Sequence, residues 1–192
     1  MKIIDEVREY LKRTPIASVD SISRIVESKS YAYLLLNHLV KKGEVFRITK
    51  GYYSTQADPT LLVLCIKPSY LGLEDALSFH NLWEQETIPV IITPRKVRQG
   101  KRKVLKHNVL IRRILPKYFF GWDLVKYGNF LVPISDVEKT LIDLVYFGKR
   151  IDKNLARKFE KRIDKGKLTN YLRKYPRNVR RKVTKILETR NS

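Results

Sequence analysis

Residues 41–54 read KKGEVFRITKGYYS. The stretch is a short apolar strand, a tight basic turn and a second strand rich in tyrosine. Gly43 ahead of it is suited to ending a helix, because glycine accepts the left-handed backbone of a C-terminal cap. Gly51 permits a positive φ in the turn. Phe46, Ile48 and Tyr52 are fit to close a small core, which leaves Arg47 and Lys50 at an exposed tip.

Upstream lie three helical patterns. Ile3, Ile4, Val7 and Leu11 predict a helix over about residues 2–13, stopped at Thr14-Pro15. Ser18 is a candidate N-cap for a second helix with Val19, Ile22, Ile25 and Val26 on one face. After a turn at Glu27-Ser28-Lys29, a third helix is predicted from Ser30 to Lys42, with Ala32, Leu35, Leu36 and Leu39 inward. Three short helices followed by a hairpin is the winged helix-turn-helix pattern. In that arrangement the third helix enters a major groove and the hairpin lies over the phosphate backbone. The expected base-edge residues are Ser30, Tyr31, Tyr33 and Asn37. Lys29, Lys41, Arg47 and Lys50 are expected on phosphates. Tyr31 and Tyr33 also suit a purely structural role at the rim of the core, and winged helices also serve as protein-contact modules.

Charge supports a polyanionic partner. The chain of 192 residues carries 40 Lys+Arg against 19 Asp+Glu, a formal net charge of +21. That excess repels itself unless a polyanion relieves it. The mixed signs of a charged thermophile surface are missing. The excess is uneven: residues 1–58 hold ten basic and seven acidic side chains, residues 59–147 hold 13 and eight, and residues 148–192 hold 17 and four. The single cysteine, Cys65, excludes an internal disulfide and a cysteine-based zinc site. No secretory signal opens the chain, and no run approaches the ~18 apolar residues of a membrane span. A soluble, cytoplasmic protein is expected.

The composition and turn signals divide the chain into a winged helix-turn-helix at 1–57, a mixed α+β domain at 58–147 and a basic helical extension at 148–192. The expected fold class is therefore α+β. In the middle segment, helices are expected near Thr60–Ile66 and Leu73–His80. Strands are expected at Pro89–Thr93, Val109–Leu115, Phe119–Val125 and Phe130–Pro133, with a hairpin turn at Gly128-Asn129. Ser135 is the expected cap of a helix reaching Phe147. In the extension, Leu155, Phe159 and Ile163 form one apolar stripe and Val179, Val183 and Leu187 another, predicting an amphipathic helix pair.

Three stretches, LVKKGEVFRITKGYYS (39–54), YLGLEDALSFHNL (70–82) and PISDVEKTLIDLV (133–145), occur in an order that resembles the AbiEi-type antitoxins of type IV toxin–antitoxin systems. Ala76, Leu77, His80 and Leu82 match that family's first motif, and Ser135, Glu138, Thr140, Leu141 and Asp143 its second. Asn81 stands where the pattern has glycine, and Lys139 where it has arginine. The resemblance covers roughly residues 1–147. It implies a repressor of its own promoter, often at inverted repeats, and a second domain that neutralises a toxin with a nucleotidyltransferase fold. A homodimer on DNA would follow from such repeats.

Two basic runs remain. PRKVRQGKRKVLKH, residues 94–107, carries Arg95, Lys96, Arg98, Lys101, Arg102, Lys103 and Lys106 with no acid, and reads as an exposed loop and a second phosphate-binding surface. It could equally contact an acidic partner, or be simply solvated. KYPRNVRRK, residues 174–182, could track a phosphate backbone while its apolar face packs. A membrane role for this tail is disfavoured by its few aromatic anchors. Catalysis finds little support. Asp123, Asp136, Glu138 and Lys139 suggest a nuclease, but Glu138 and Lys139 are adjacent and point to different sides of a helix. His38, His80 and His107 are too scattered for a metal site. No P-loop or Rossmann glycine pattern is present. No catalytic residue, metal or cofactor is expected. The partner expected is double-stranded DNA. A nuclease-like enzyme and a winged-helix accessory protein remain the alternatives.

Overall fold

The computed structural model describes residues 2–188. The last four residues of the expected basic extension, 189–192, lie outside the described residues. The protein is α+β and divides into two compact units: residues 1–67 with 102–109, and residues 68–101 with 110–192.

The first unit begins with α1 (Ile3–Arg13), β1 (Ala17–Ser18), α2 (Val19–Val26) and α3 (Lys29–Lys41). Asp5 and Glu6 in the first turn of α1, with Lys12 and Arg13 in its last, complement the helix dipole. Ser18 caps α2 by accepting from the Ser21 amide, as its position predicts. α3 starts one residue earlier than its apolar pattern indicates, because the Ser28 hydroxyl accepts from the Tyr31 amide and caps it. The helix ends in a Schellman motif. Gly43, at φ +72, donates to Val40, and Glu44 donates to Leu39. Glu44 is held in turn by Arg8 of α1 at 2.8 Å. Val7, Leu11, Ile22, Ala32, Leu36 and Leu39 fill the core between the three helices.

The quoted stretch forms β2 (Phe46–Thr49) and β3 (Tyr52–Ser54), joined by Lys50-Gly51 with Gly51 at φ +80. The sheet runs β1-β3-β2, and both pairings are antiparallel. Of the three residues expected in its core, only Ile48 is buried, while Phe46 and Tyr52 are half-buried. Tyr53 and Val45 are buried instead. The pairing register shifts between Arg47 and Thr49, a bulge that places Ile48 as the extra residue of β2. A 3-10 turn (Pro59–Leu61), capped by Asp58, leads into the short α4 (Leu62–Cys65). Cys65 is buried there. Its Sγ donates to the Leu61 carbonyl at 3.6 Å, and burial pushes its thiol up to about 12.

The remaining elements are β4 (Tyr70–Leu71), α5 (Leu73–Phe79), β5 (Val90–Thr93), β6 (Gly100–Val104), β7 (His107–Arg113), β8 (Trp122–Tyr127), β9 (Phe130–Ser135), α6 (Val137–Tyr146), α7 (Lys153–Arg162), α8 (Lys165–Leu172) and α9 (Arg177–Glu188). The six-stranded sheet has the order β6-β7-β5-β4-β9-β8 and is mixed: β5 runs parallel to β7, and β4 parallel to β9. β8 and β9 form the expected hairpin, with Tyr127 opposite Phe130 across Gly128-Asn129. The strand expected from Phe119 begins only at Trp122, because Pro116–Tyr118 closes a 3-10 turn first. The basic extension forms three helices rather than two. Its Leu155, Phe159, Leu168, Val179 and Val183 lie in one core with Tyr70, Leu77 and Leu141.

α6 departs most from its expected form. Asp136, not Ser135, caps it, accepting from the Lys139 amide at 2.7 Å. Ser135 closes β9, and its hydroxyl meets that of Thr140 at 2.8 Å. Lys139, in the first turn of the helix, is fully buried. Its ammonium pairs with Asp143 one turn on and donates to the Tyr70 hydroxyl at 2.9 Å. The Tyr70 hydroxyl donates to the other Asp143 oxygen at 2.7 Å. The rings of Tyr70, Phe120 and Tyr175 surround the ammonium. Burial lowers the Lys139 pKa and raises that of Asp143, and the mutual attraction of the two offsets part of both shifts. Gly121, at φ +71, brings bare backbone against this group. A Cβ there would sit 2.8 Å from the Tyr171 ring and 3.0 Å from the Lys139 Cβ.

Removing one member of a buried pair leaves an uncompensated charge. Lys139→Ala is expected to lower unfolding free energy by about 3–5 kcal/mol in denaturant titrations. The double change Lys139→Met with Asp143→Leu is expected to lower it by much less, and an equal loss in both would show that packing rather than the pair matters.

Candidate nucleic-acid interface

A helix exposes about half its circumference when the other half fills a core, and α3 does so. Ala32, Leu35, Leu36 and Leu39 face inward. Ser30, Leu34, Asn37 and Lys41 follow at three- and four-residue steps and share the centre of the outward face. Tyr33 flanks them on one side, with Tyr31 and His38 on the other. All six of the expected α3 residues, Lys29, Ser30, Tyr31, Tyr33, Asn37 and Lys41, are exposed. The two tyrosines retain 43% and 39% exposure, so neither is absorbed into the core.

Two features of this face bear on its use. Leu34, at 67% exposure, occupies its centre. An apolar side chain there suits the methyl group of a thymine, or an apolar partner. It was legible as outward, but carries no polar group to mark it as a contact. Lys29, expected on a phosphate, is paired with Asp20 of α2 at 2.8 Å. Their hydrogen bond raises the lysine and lowers the aspartate. Both groups are well exposed, so the pair holds the lysine only weakly against a competing phosphate.

In the β2–β3 hairpin, Arg47 and Lys50 are exposed as expected. They belong to the same unit as α3, together with Arg102 and Lys103. Arg95, Lys96, Arg98 and Lys101 belong to the second unit. Arg102 is half-buried, and the other five of this cluster are exposed.

The basic run 94–107 is not a plain loop. Gly100–Val104 forms β6, which lies at one end of the strand order. Alternation sets Lys101 and Lys103 on one face, with Arg102 and the buried Val104 on the other. Lysines on an edge strand also hinder pairing with other chains, so part of this charge has a protective reading. The link to β7 holds two residues at positive φ, Leu105 at +50 and Lys106 at +70. That is the signature of a type I′ hairpin turn, built here without the asparagine or glycine that normally reveals one.

Ser28 sets the start of the helix that carries this face. Ser28→Ala is expected to lower stability by about 1 kcal/mol, read as a fall in melting temperature. Ser28→Asp should restore it, and failure of both to move the transition would show that the cap contributes nothing.

No family model matches this chain, and neither does any curated protein. The fold is similar to the crystal structure of the RV2827C protein from Mycobacterium tuberculosis, with a TM-score of 0.66 at 11% sequence identity over 98% of this chain and 75% of that one. That likeness is one of fold.

Proposed function

We propose that the chain is a DNA-binding transcriptional repressor whose first unit is a winged helix-turn-helix. The observation that carries this reading is the outward face of α3, where Ser30, Asn37 and Lys41 stand in line, beside a hairpin whose exposed cations are Arg47 and Lys50. α3 reads base edges in the major groove and the hairpin holds phosphate. Lys29 joins the phosphate contacts by exchanging Asp20 for the backbone. Arg95, Lys96, Arg98, Lys101, Arg102 and Lys103 add charge that is blind to sequence.

The resemblance to AbiEi-type antitoxins gains support from how its motif residues are used. His80 Nε2 lies 2.7 Å from the Ser135 carbonyl, so the first motif touches the second. Asn81, in the place of the usual glycine, has φ +54, a backbone that glycine and asparagine both accept. Lys139, in the place of arginine, keeps a cation beside Asp143. On this reading the chain represses its own promoter as a dimer at inverted repeats, and its second unit counters a nucleotidyltransferase-type toxin. Two of the three carboxylates named for a nuclease, Asp136 and Glu138, are already engaged. Asp136 accepts from the Lys139 amide and from Tyr171 and pairs with Lys167, and Glu138 accepts from the Asp164 amide.

A second reading follows from Leu34, Tyr31 and Tyr33. An exposed face with an apolar centre also suits a protein partner. Gel shifts with the duplex upstream of the chain's own reading frame, against a scrambled duplex, separate the two. Asn37→Ala is expected to reduce the preference between these duplexes by about 1–3 kcal/mol. Lys50→Ala should weaken both equally and flatten the salt dependence by about one contact. Equal binding of the two duplexes by the unaltered chain would overturn the repressor reading.

A further inference from the structure

α9 buries Val179 and Val183 and half-buries Ile186 and Leu187, which fixes its inner face. The opposite face can then be read from the helical period. Arg177, Arg181 and Lys185 follow at four-residue steps and form one axial stripe, with Arg180 and Lys182 on its two shoulders. All five are exposed. No ion pair or side-chain hydrogen bond within the described residues engages Arg177, Arg180, Arg181 or Lys182. Like charges four residues apart repel on a helix. Arg177 and Arg181 therefore work against the stability of α9.

We infer that this face of α9 is a second binding surface for a nucleic-acid backbone, separate from α3. Successive cations of the stripe are about 6 Å apart along the axis, comparable with the separation of successive phosphates on a strand. Arginine supplies three of the five cations, and its planar fork suits phosphate oxygens. The same face argues against two other occupants. A protein interface needs an apolar centre, and an interfacial membrane helix needs an exposed apolar side. Here the apolar residues all point into the core, and Asn178, Thr184 and the acidic Glu188 at the end of the helix share the exposed face with the cations. The contact is blind to base sequence, because arginine on phosphate reads charge alone. This inference extends the repressor reading to a second grip, but needs only that the chain binds nucleic acid.

The test is a salt titration of full-length Arg177→Ala/Arg180→Ala/Arg181→Ala on a random-sequence duplex and on the upstream duplex. The expected result is an equal loss on both, about tenfold or more near physiological salt, and a slope of log affinity on log salt shallower by about 2–3. Its melting temperature should equal or exceed that of the unaltered chain, since repulsion is relieved. If the triple variant does not fold, Arg181→Ala alone should shallow the slope by about one. An unchanged slope overturns the inference. So does a loss of binding to anionic vesicles of phosphatidylserine and phosphatidylcholine with duplex binding intact. Failure of the repressor reading looks different: the two duplexes bind alike, yet the triple variant still weakens both.

Discussion

The arrangement of the second unit depends on one charged contact in its interior, Lys139 with Asp143 and Tyr70. α6 is buried on nearly every side: eight of its ten residues, Glu138 through Val145, are enclosed. A helix wrapped in this way has no dry side and wet side to set its rotation. Polar partners must do so instead. Lys139 can be satisfied only where Asp143 and the β4 tyrosine converge, and Ser135, Thr140 and His80 fix the start of the helix against β9 and the end of α5. The aromatic cage of Tyr70, Phe120 and Tyr175 then closes over the ammonium. Tyr175, drawn in to form that cage, leaves its hydroxyl without a partner among the described residues.

Elements with a strong local signal were legible from the chain alone. The helix period of α1 to α3, the Ser18 cap, Gly43, and the Lys50-Gly51 and Gly128-Asn129 turns all appear where the residues indicate. These are decisions that neighbouring residues make among themselves. The misread positions were decided by distant partners. β4 is two residues long and exists because β5 and β9 flank it. β6 looks like a solvated loop by composition and becomes a strand through a turn that Leu105 and Lys106 adopt against their usual preference. Lys139 looks like surface because lysine usually is, and its interior place follows only from Tyr70, sixty-nine positions away. At the candidate interface the polar and cationic residues were legible by type and spacing. Leu34 was legible as outward by spacing, but its apolar side chain carries nothing that marks a contact.

Cationic residues serve different ends in this molecule. Lys139 is structural. Arg8 pairs with Glu44 and Lys12 with Glu9, and Lys149 and Lys167 are tied to Glu74 and to Asp136. The cationic excess is greatest at residues 148–192, where 17 basic side chains stand against four acidic ones. The net charge of +21 is therefore not evenly spread background.

Cys65 has a practical consequence. Its thiol is enclosed beside α4, bonded to the Leu61 carbonyl, and held almost wholly protonated near neutral pH. Thiolate is the species that reacts with alkylating reagents, so the native chain should be silent toward them. Each modification event then marks an opening of the first unit, and the chain carries an intrinsic chemical clock for local breathing without any engineered label.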